Sequence, residues 1–197
     1  MGSLSSLLSN PDDSYILGLW GADKYHRSSS VGLSNTNVAL ILKYSDFLLS
    51  RFSVDRLRLR VYGNRVPEKL KDFKTNFCKG SKNVQTAYHI YVNSRPLLRE
   101  FIESLENRAN LNLNSIYPYF AGRFDGDGSI GKGRRRFCRI AYSSVHDLSK
   151  DRILLSDIKT SVYEYKQAGT FCLYFSEATL DLFLERIRKY SFSSKLL

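Results

Sequence analysis

At 197 residues, with a formal net charge of +11 and an isoelectric point near 9.6, the chain is long enough to bury a core and is biased toward a polyanionic partner. No run approaches the roughly 18 apolar residues of a transmembrane helix. Three widely spaced cysteines without a CxxC pair exclude a disulfide framework or a zinc site. Nucleic acid is the first candidate partner. An anionic membrane surface is the second, supported by no more than the short basic amphipathic stretch 183–195. The opening MGSLSSLLSNPDDS lacks a basic region followed by a sustained apolar one, so the expectation is an unsecreted protein with core thiols.

The first element in chain order is an apolar helical segment, YILGLWGADKY (15–25). Short strands are predicted over 27–33 and 37–43 around an Asn/Thr turn, then a short helix over 44–52 opened by Ser45 or Asp46. Residues 54–62, VDRLRLRVY, alternate basic and apolar side chains as a strand with one wet face does. The polar stretch 63–83 reads as an insertion. A strand over 85–92 follows, then a helix over 94–108 with Pro96 in its first turn, and an Asn-rich linker over 107–115. A second apolar helical stretch, YPYFAGRF (117–124), precedes strands at 128–133 and 136–143. A helix near 149–159, strands at 162–167 and 170–176 and a helix over 176–190 complete the chain. Helix, two strands, helix, two strands, helix is therefore written twice. The expected halves, 1–108 and 109–197, carry net charges of +6 and +5, so both suit the same polyanion.

Residues 119–137, YFAGRFDGDGSIGKGRRRF, contain three competing motifs. Gly126, Gly128 and Gly131 spell GxGxxG, but a dinucleotide loop needs a strand before its glycines and a helix after them, and here the order is reversed. A calcium loop started at Asp125 would place Ile130 and Arg136 where glycine and glutamate belong. What remains is a helix that ends in an aspartate, and it occurs twice. YILGLWGADKY overlays YFAGRFDGDGS with Gly18 on Gly122 and Asp23 on Asp127, 104 residues apart. The matched glycines imply close helix–helix approach. Two carboxylates held at one end of such a pair call for a hard divalent cation. Under a basic surface that is the chemistry of phosphodiester hydrolysis.

FAGRFDGDG (120–128) resembles the motif of the LAGLIDADG homing endonucleases, and ILGLWGADK (16–24) resembles a more divergent copy. The resemblance implies an α+β fold of two pseudo-symmetric αββαββα repeats. Each repeat has a four-stranded antiparallel, saddle-shaped sheet, and the two pair through two central motif helices. It further implies a monomeric enzyme that makes double-strand breaks with short 3′ overhangs at a long DNA site, encoded in introns or inteins. Asp23 and Asp127 become metal ligands and catalytic residues, with the neighbouring Ala22 and Gly126 at the metal. Mg²⁺ is the expected ion, replaceable by Mn²⁺ or Ca²⁺, the latter without turnover. Lys195, in a turn after the last helix, is the candidate for the family's basic catalytic residue near the scissile phosphates, and Lys43 the second choice. Arg56, Arg58 and Arg60 form the basic strand face, and Arg134, Arg135 and Arg136 lie at the first turn of the second sheet. Arg27, Arg139 and Lys166 join them as DNA contacts. The copies differ at Gly21 against Asp125 and at Lys24 against Gly128. An RNA maturase acting on its own intron RNA, or a DNA-binding protein that does not cut, is the alternative on the same fold. The expected location is an organelle or a prokaryotic cytoplasm.

Overall fold

The computed structural model describes residues 5–27, 29–79, 85–132, 136–166, 169–193 and 196. The chain divides into two compact units, Asp23–Glu103 and Met1–Ala22 with Ser104–Leu197. None of the helices among the described residues is long and apolar enough to cross a membrane.

In the unit Asp23–Glu103 the sheet comprises β1 (Lys24–Arg27), β2 (Ser30–Asn35), β3 (Leu57–Tyr62), β4 (Lys74–Cys78) and β5 (Ala87–Asn93), ordered β1-β2-β5-β3-β4. The first four positions in that order are antiparallel neighbours, whereas β4 runs parallel to β3 at the edge. Leu57, Leu59 and Val61 of β3 are fully buried between half-exposed Arg58 and Arg60, the period-2 pattern of a sheet with one dry face. Register places Leu59 beside Ile90 and Leu57 beside Val92 on that dry side. Two helices cover it, α3 (Val38–Leu49) and α4 (Arg95–Glu106), through Tyr44, Phe47 and Phe101, whose rings meet at 5.7 to 6.5 Å.

The expected strand at 37–43 is instead the first half of α3. The Asn37 side chain caps the helix by accepting from Ala39 N–H at 3.0 Å. Leu40, Ile41, Tyr44, Ser45, Phe47 and Leu48 then fall on one buried helical face, a spacing that no strand would bury together. The insertion holds β4, which makes this sheet five-stranded rather than four-stranded.

The other unit opens with a short helix, α1 (Ser6–Ser9), and with α2 (Pro11–Asp23), whose final residue belongs to the first unit. It continues with α5 (Leu113–Asp127), β6 (Gly128–Lys132), β7 (Arg136–Tyr142), α6 (Val145–Leu154), β8 (Ser161–Tyr165), β9 (Thr170–Phe175) and α7 (Glu177–Arg188). The sheet order, β6-β7-β9-β8, repeats that of β1-β2-β5-β3, and every pairing is antiparallel. Cys138, Ile140, Leu173 and Phe175 line the dry face, with Phe183 of α7 stacked on Phe175 at 3.9 Å. Helix α6 begins earlier than its expected range because Ser144 caps it, accepting from Asp147 N–H. The expected linker is the short 3-10 turn Arg108–Asn110 and the start of α5.

Helices α2 and α5 pack through their glycines in a reciprocal way. A Cβ on Gly18 would lie 1.9 Å from the Tyr119 carbonyl oxygen, and one on Gly122 would lie 2.0 Å from the Tyr15 carbonyl oxygen. Tyr15 and Tyr119 are themselves partners in the 104-residue repeat, so the contact has the self-complementarity of a twofold interface. Between Ser14 and Trp20 every α2 residue is buried, as befits a helix with neighbours on all sides. Because the clashing atoms are backbone, Gly18→Ala and Gly122→Ala should each destabilise this unit by at least about 3 kcal/mol. Urea denaturation checks this, and the two variants should lose similar amounts.

Candidate metal centre and nucleic-acid interface

Each motif helix ends on its aspartate at the point where the chain enters a sheet, Asp23 before β1 and Asp127 before β6. Both aspartates are half-buried. The Asp23 carboxylate accepts from the Asn35 side-chain amide at 2.6 Å, a neutral donor across the β1–β2 pair. Asp127 adjoins a buried cation: Arg123, one helical turn back and 4 % exposed. Burial opposes charge at Arg123, but Tyr142, Tyr119, Asp151 and Asp127 outweigh it and raise its pKa.

Behind α5 lies a buried ionic cluster of which the sequence gives no sign. Asp151 of α6, fully buried, accepts from Arg108 Nε at 2.5 Å, Tyr142 Oη at 2.8 Å and Tyr119 Oη at 3.0 Å, and it pairs with Arg123 Nε at 3.5 Å. Arg123 also lies over the Tyr142 ring. Arg108 also pairs with Asp147 at 3.0 Å, so replacing Asp151 by Asn would remove the carboxylate shared by two buried guanidiniums and leave them the charges of Asp147 and Asp127, a loss of about 3 kcal/mol that thermal or urea unfolding would register.

The second copy's extra acid, Asp125, points inward. It is 1 % exposed and accepts from Tyr15 Oη at 2.7 Å, Phe192 N–H at 2.7 Å and Ser191 Oγ at 2.5 Å. Asp125 thus ties α2, α5 and the turn after α7 together, and burial followed by its charge raises the Tyr15 pKa. At Gly21, its counterpart, a Cβ would meet Arg123 and Leu105 at 3.3 Å.

The donors at both helix ends are hard oxygens: the Asp23 and Asp127 carboxylates and the adjoining carbonyls of Ala22 and Gly126. This set fits Mg²⁺, which takes few protein ligands and fills the remainder with water and phosphate oxygens. Among the described residues no group of three or more His, Cys, Asp or Glu side chains is poised for a metal.

On the outer face of the first sheet Arg58, Arg60 and Lys74 project on one side, Arg58 level with Lys74. The Arg60 guanidinium lies 5.1 Å from the Tyr91 ring, on which His89 stacks at 4.9 Å. Arg56 departs from the strand pattern: it belongs to the 3-10 turn before β3, over Phe52, and donates to the Asn93 carbonyl at 3.5 Å. On the second sheet Arg139 points outward, donating to Ser129 Oγ at 3.1 Å and Tyr165 Oη at 3.0 Å. Lys166 is exposed just beyond β8.

Two expectations are corrected. Arg136 has the parity of the dry face and pairs with Asp181 of α7 at 3.0 Å, so it is turned away from Arg139. Lys43 is not at a strand end but within α3, on the helical layer that covers the sheet's opposite side. Arg134, Arg135, Lys195 and the side chain of Arg27 lie outside the described residues. Cys138 and Cys172 are buried free thiols, the former pushed up to about 12 by burial.

Burial, and then the Arg60 charge, lowers the His89 pKa to about 4. His89 is therefore neutral in the folded chain and protonates near 6.5 in the unfolded one. Its contribution to stability is complete above pH 6.5 and is lost as pH falls from there toward 4. Denaturation midpoints at pH 7.5 and 5 should diverge more in the wild type than in His89→Gln.

No family model matches the chain, and no curated protein does either. Solved structures do. I-DmoI in complex with DNA and Mn is similar over 90 % of this chain and 96 % of its own, at 16 % identity and a TM-score of 0.62. The N-terminal LAGLIDADG domain of DUF199/WhiA is similar over 88 % and 80 %, at 19 % identity and a TM-score of 0.57. Full-length DUF199/WhiA from Thermatoga maritima covers the whole chain with 59 % of its own length, at 16 % identity and a TM-score of 0.61.

Proposed function

Starting from a chain that has the LAGLIDADG fold, we propose a site-specific, divalent-metal-dependent DNA endonuclease that cuts both strands of its target. The observation that carries this reading is the duplicated helix that ends in an aspartate at the mouth of a sheet with a cationic outer face. A +11 chain gathers a duplex electrostatically. Arg58, Arg60 and Lys74 on one sheet and Arg139 on the other set the register against phosphates and base edges. Asp23 serves one strand and Asp127 the other, each supported by the carbonyl of the preceding residue. A bound Mg²⁺, or Mn²⁺ in its place, would supply charge neutralisation at the phosphate and acidify water for attack. That I-DmoI has been solved with DNA and Mn, Mg or Ca supports the choice of ions.

Asp125 holds the end of α5 against the turn after α7, and so fixes where Asp127 emerges. Arg123 backs Asp127 with a permanent positive charge, and Asp23 accepts from the neutral Asn35 amide. Exposed Lys24 beside Asp23 favours one second reading, a DNA-binding protein on this fold that does not cut.

Asp127→Asn should reduce cleavage in Mg²⁺ by a factor on the order of a hundred to a thousand while duplex affinity in Ca²⁺ changes little. A wild-type chain that binds one duplex sequence in Ca²⁺ and leaves it intact in Mg²⁺ and Mn²⁺ would establish the second reading instead.

A further inference from the structure

The outer faces of the two sheets differ in what they carry beside their aromatics: on the first, Tyr91 and His89 lie beneath the Arg60 guanidinium and Tyr62 follows it along β3. Along β3 the outward positions Arg58 and Arg60, with Lys74 alongside, present charged donors spaced about 6.8 Å along the strand. That spacing matches two base-pair steps of about 3.4 Å. Arginine and lysine forks suit the O6 and N7 acceptors of guanine. On the second sheet the corresponding face has one such fork among the described residues of its strands, Arg139, held by Ser129 and Tyr165. The other large side chains described on that face are aromatic. Phe137 of β7 stacks on Tyr174 of β9 at 5.1 Å, and Tyr163 of β8 meets Tyr174 edge-on, also at 5.1 Å. Tyr163 is 51 % exposed and Tyr165 44 %.

A contiguous exposed aromatic strip on a folded surface marks a binding face. Phe137 and Tyr174 turn a ring face to each other, at 26°, so two of the faces that splayed single-stranded bases would stack on are already taken. What the strip offers a groove is ring edges and hydroxyls. The apolar feature of the major groove is the thymine C5-methyl group.

We propose that the two sheets read chemically unlike halves of one asymmetric DNA site. The sheet of Asp23–Glu103 takes a guanine-bearing half through Arg58, Arg60 and Lys74, with guanines two base pairs apart. The sheet built from β6 to β9 takes a thymine-rich half through Phe137, Tyr163 and Tyr174. This rests on the DNA-binding reading above.

Selection of the full-length chain on a randomised duplex library in Ca²⁺ tests it without requiring cleavage. Guanines should be enriched on one side of the selected site and thymines on the other. Arg60→Gln should relax preference at one guanine by about tenfold to a hundredfold and leave the thymine side unchanged; Tyr163→Ala should do the reverse. Replacing thymine by uracil on the thymine side should weaken binding about fourfold per contacted methyl, and on the guanine side by nothing. A specific site whose halves show the same base preference, or in which uracil substitution has no effect, overturns this inference and leaves the endonuclease reading standing. Tighter binding to a single strand than to the duplex also overturns it. Absence of any enriched duplex sequence defeats the endonuclease reading itself.

Discussion

The contact on which the rest of the structure depends is the one where two backbones touch without side chains between them. Gly18 faces the Tyr119 carbonyl and Gly122 faces the Tyr15 carbonyl, each too close for a methyl group. Such proximity fixes the crossing of α2 and α5 to a fraction of an ångström, because any other rotation would either open a gap or drive a carbonyl into a neighbouring Cβ. Both helices run without a loop into the first strand of a sheet. Their crossing therefore sets the direction in which α5 delivers Asp127 to β6, and two missing side chains fix that crossing.

The repeat is symmetric in architecture and asymmetric in electrostatics. Sheet order, helix placement and the terminal aspartates recur, yet position 19 is leucine where position 123 is a buried arginine. That arginine brings in Asp151, and Asp151 brings in Arg108, Tyr119 and Tyr142. In the first copy the matched position is apolar, and the Asn35 amide donates to the aspartate. A buried network of this kind specifies a single arrangement more than it adds net stability, and here it stands directly behind one of the two candidate ligands. The two repeats are consequently unequal in charge environment as well as in the outer faces of their sheets.

Much of this was legible in the sequence wherever the signal was local or repeated. The rejection of the GxGxxG reading followed from element order alone, and α5 followed by β6 upholds it. The insertion at 63–83 was also legible. Helix α4, Arg95–Glu106, corresponds to α7, Glu177–Arg188, 82 positions later, whereas β3 and β8, starting at Leu57 and Ser161, keep the 104-residue offset. All the extra length therefore falls between β3 and β5. The strand misread at 37–43 came from an apolar run rich in Val, Ile and Leu that fits either period, and Asn37 was the overlooked arbiter. Arg136 was unreadable because a run of three arginines conceals which one shares parity with the dry face. Asp125 and Arg108 were unreadable for another reason: their partners lie 66 and 43 residues away, where no local pattern reaches.

The grouping of residues up to Ala22 with the segment from Ser104 onward has a consequence in time. A ribosome releases α2, buried throughout from Ser14 to Trp20, before the α5 against which its glycine packs. Its partner helix follows about 100 residues later, which at roughly 5–20 residues per second is an interval on the order of 5–20 s. Asp23–Glu103, with its own sheet and two covering helices, has the means to fold within that interval, while Tyr15 to Trp20 remain a nascent apolar surface. The segment that finally positions the candidate catalytic aspartates is thus the one most in need of protection during synthesis. Chaperone dependence in this protein is expected to arise at α2 rather than in its sheets.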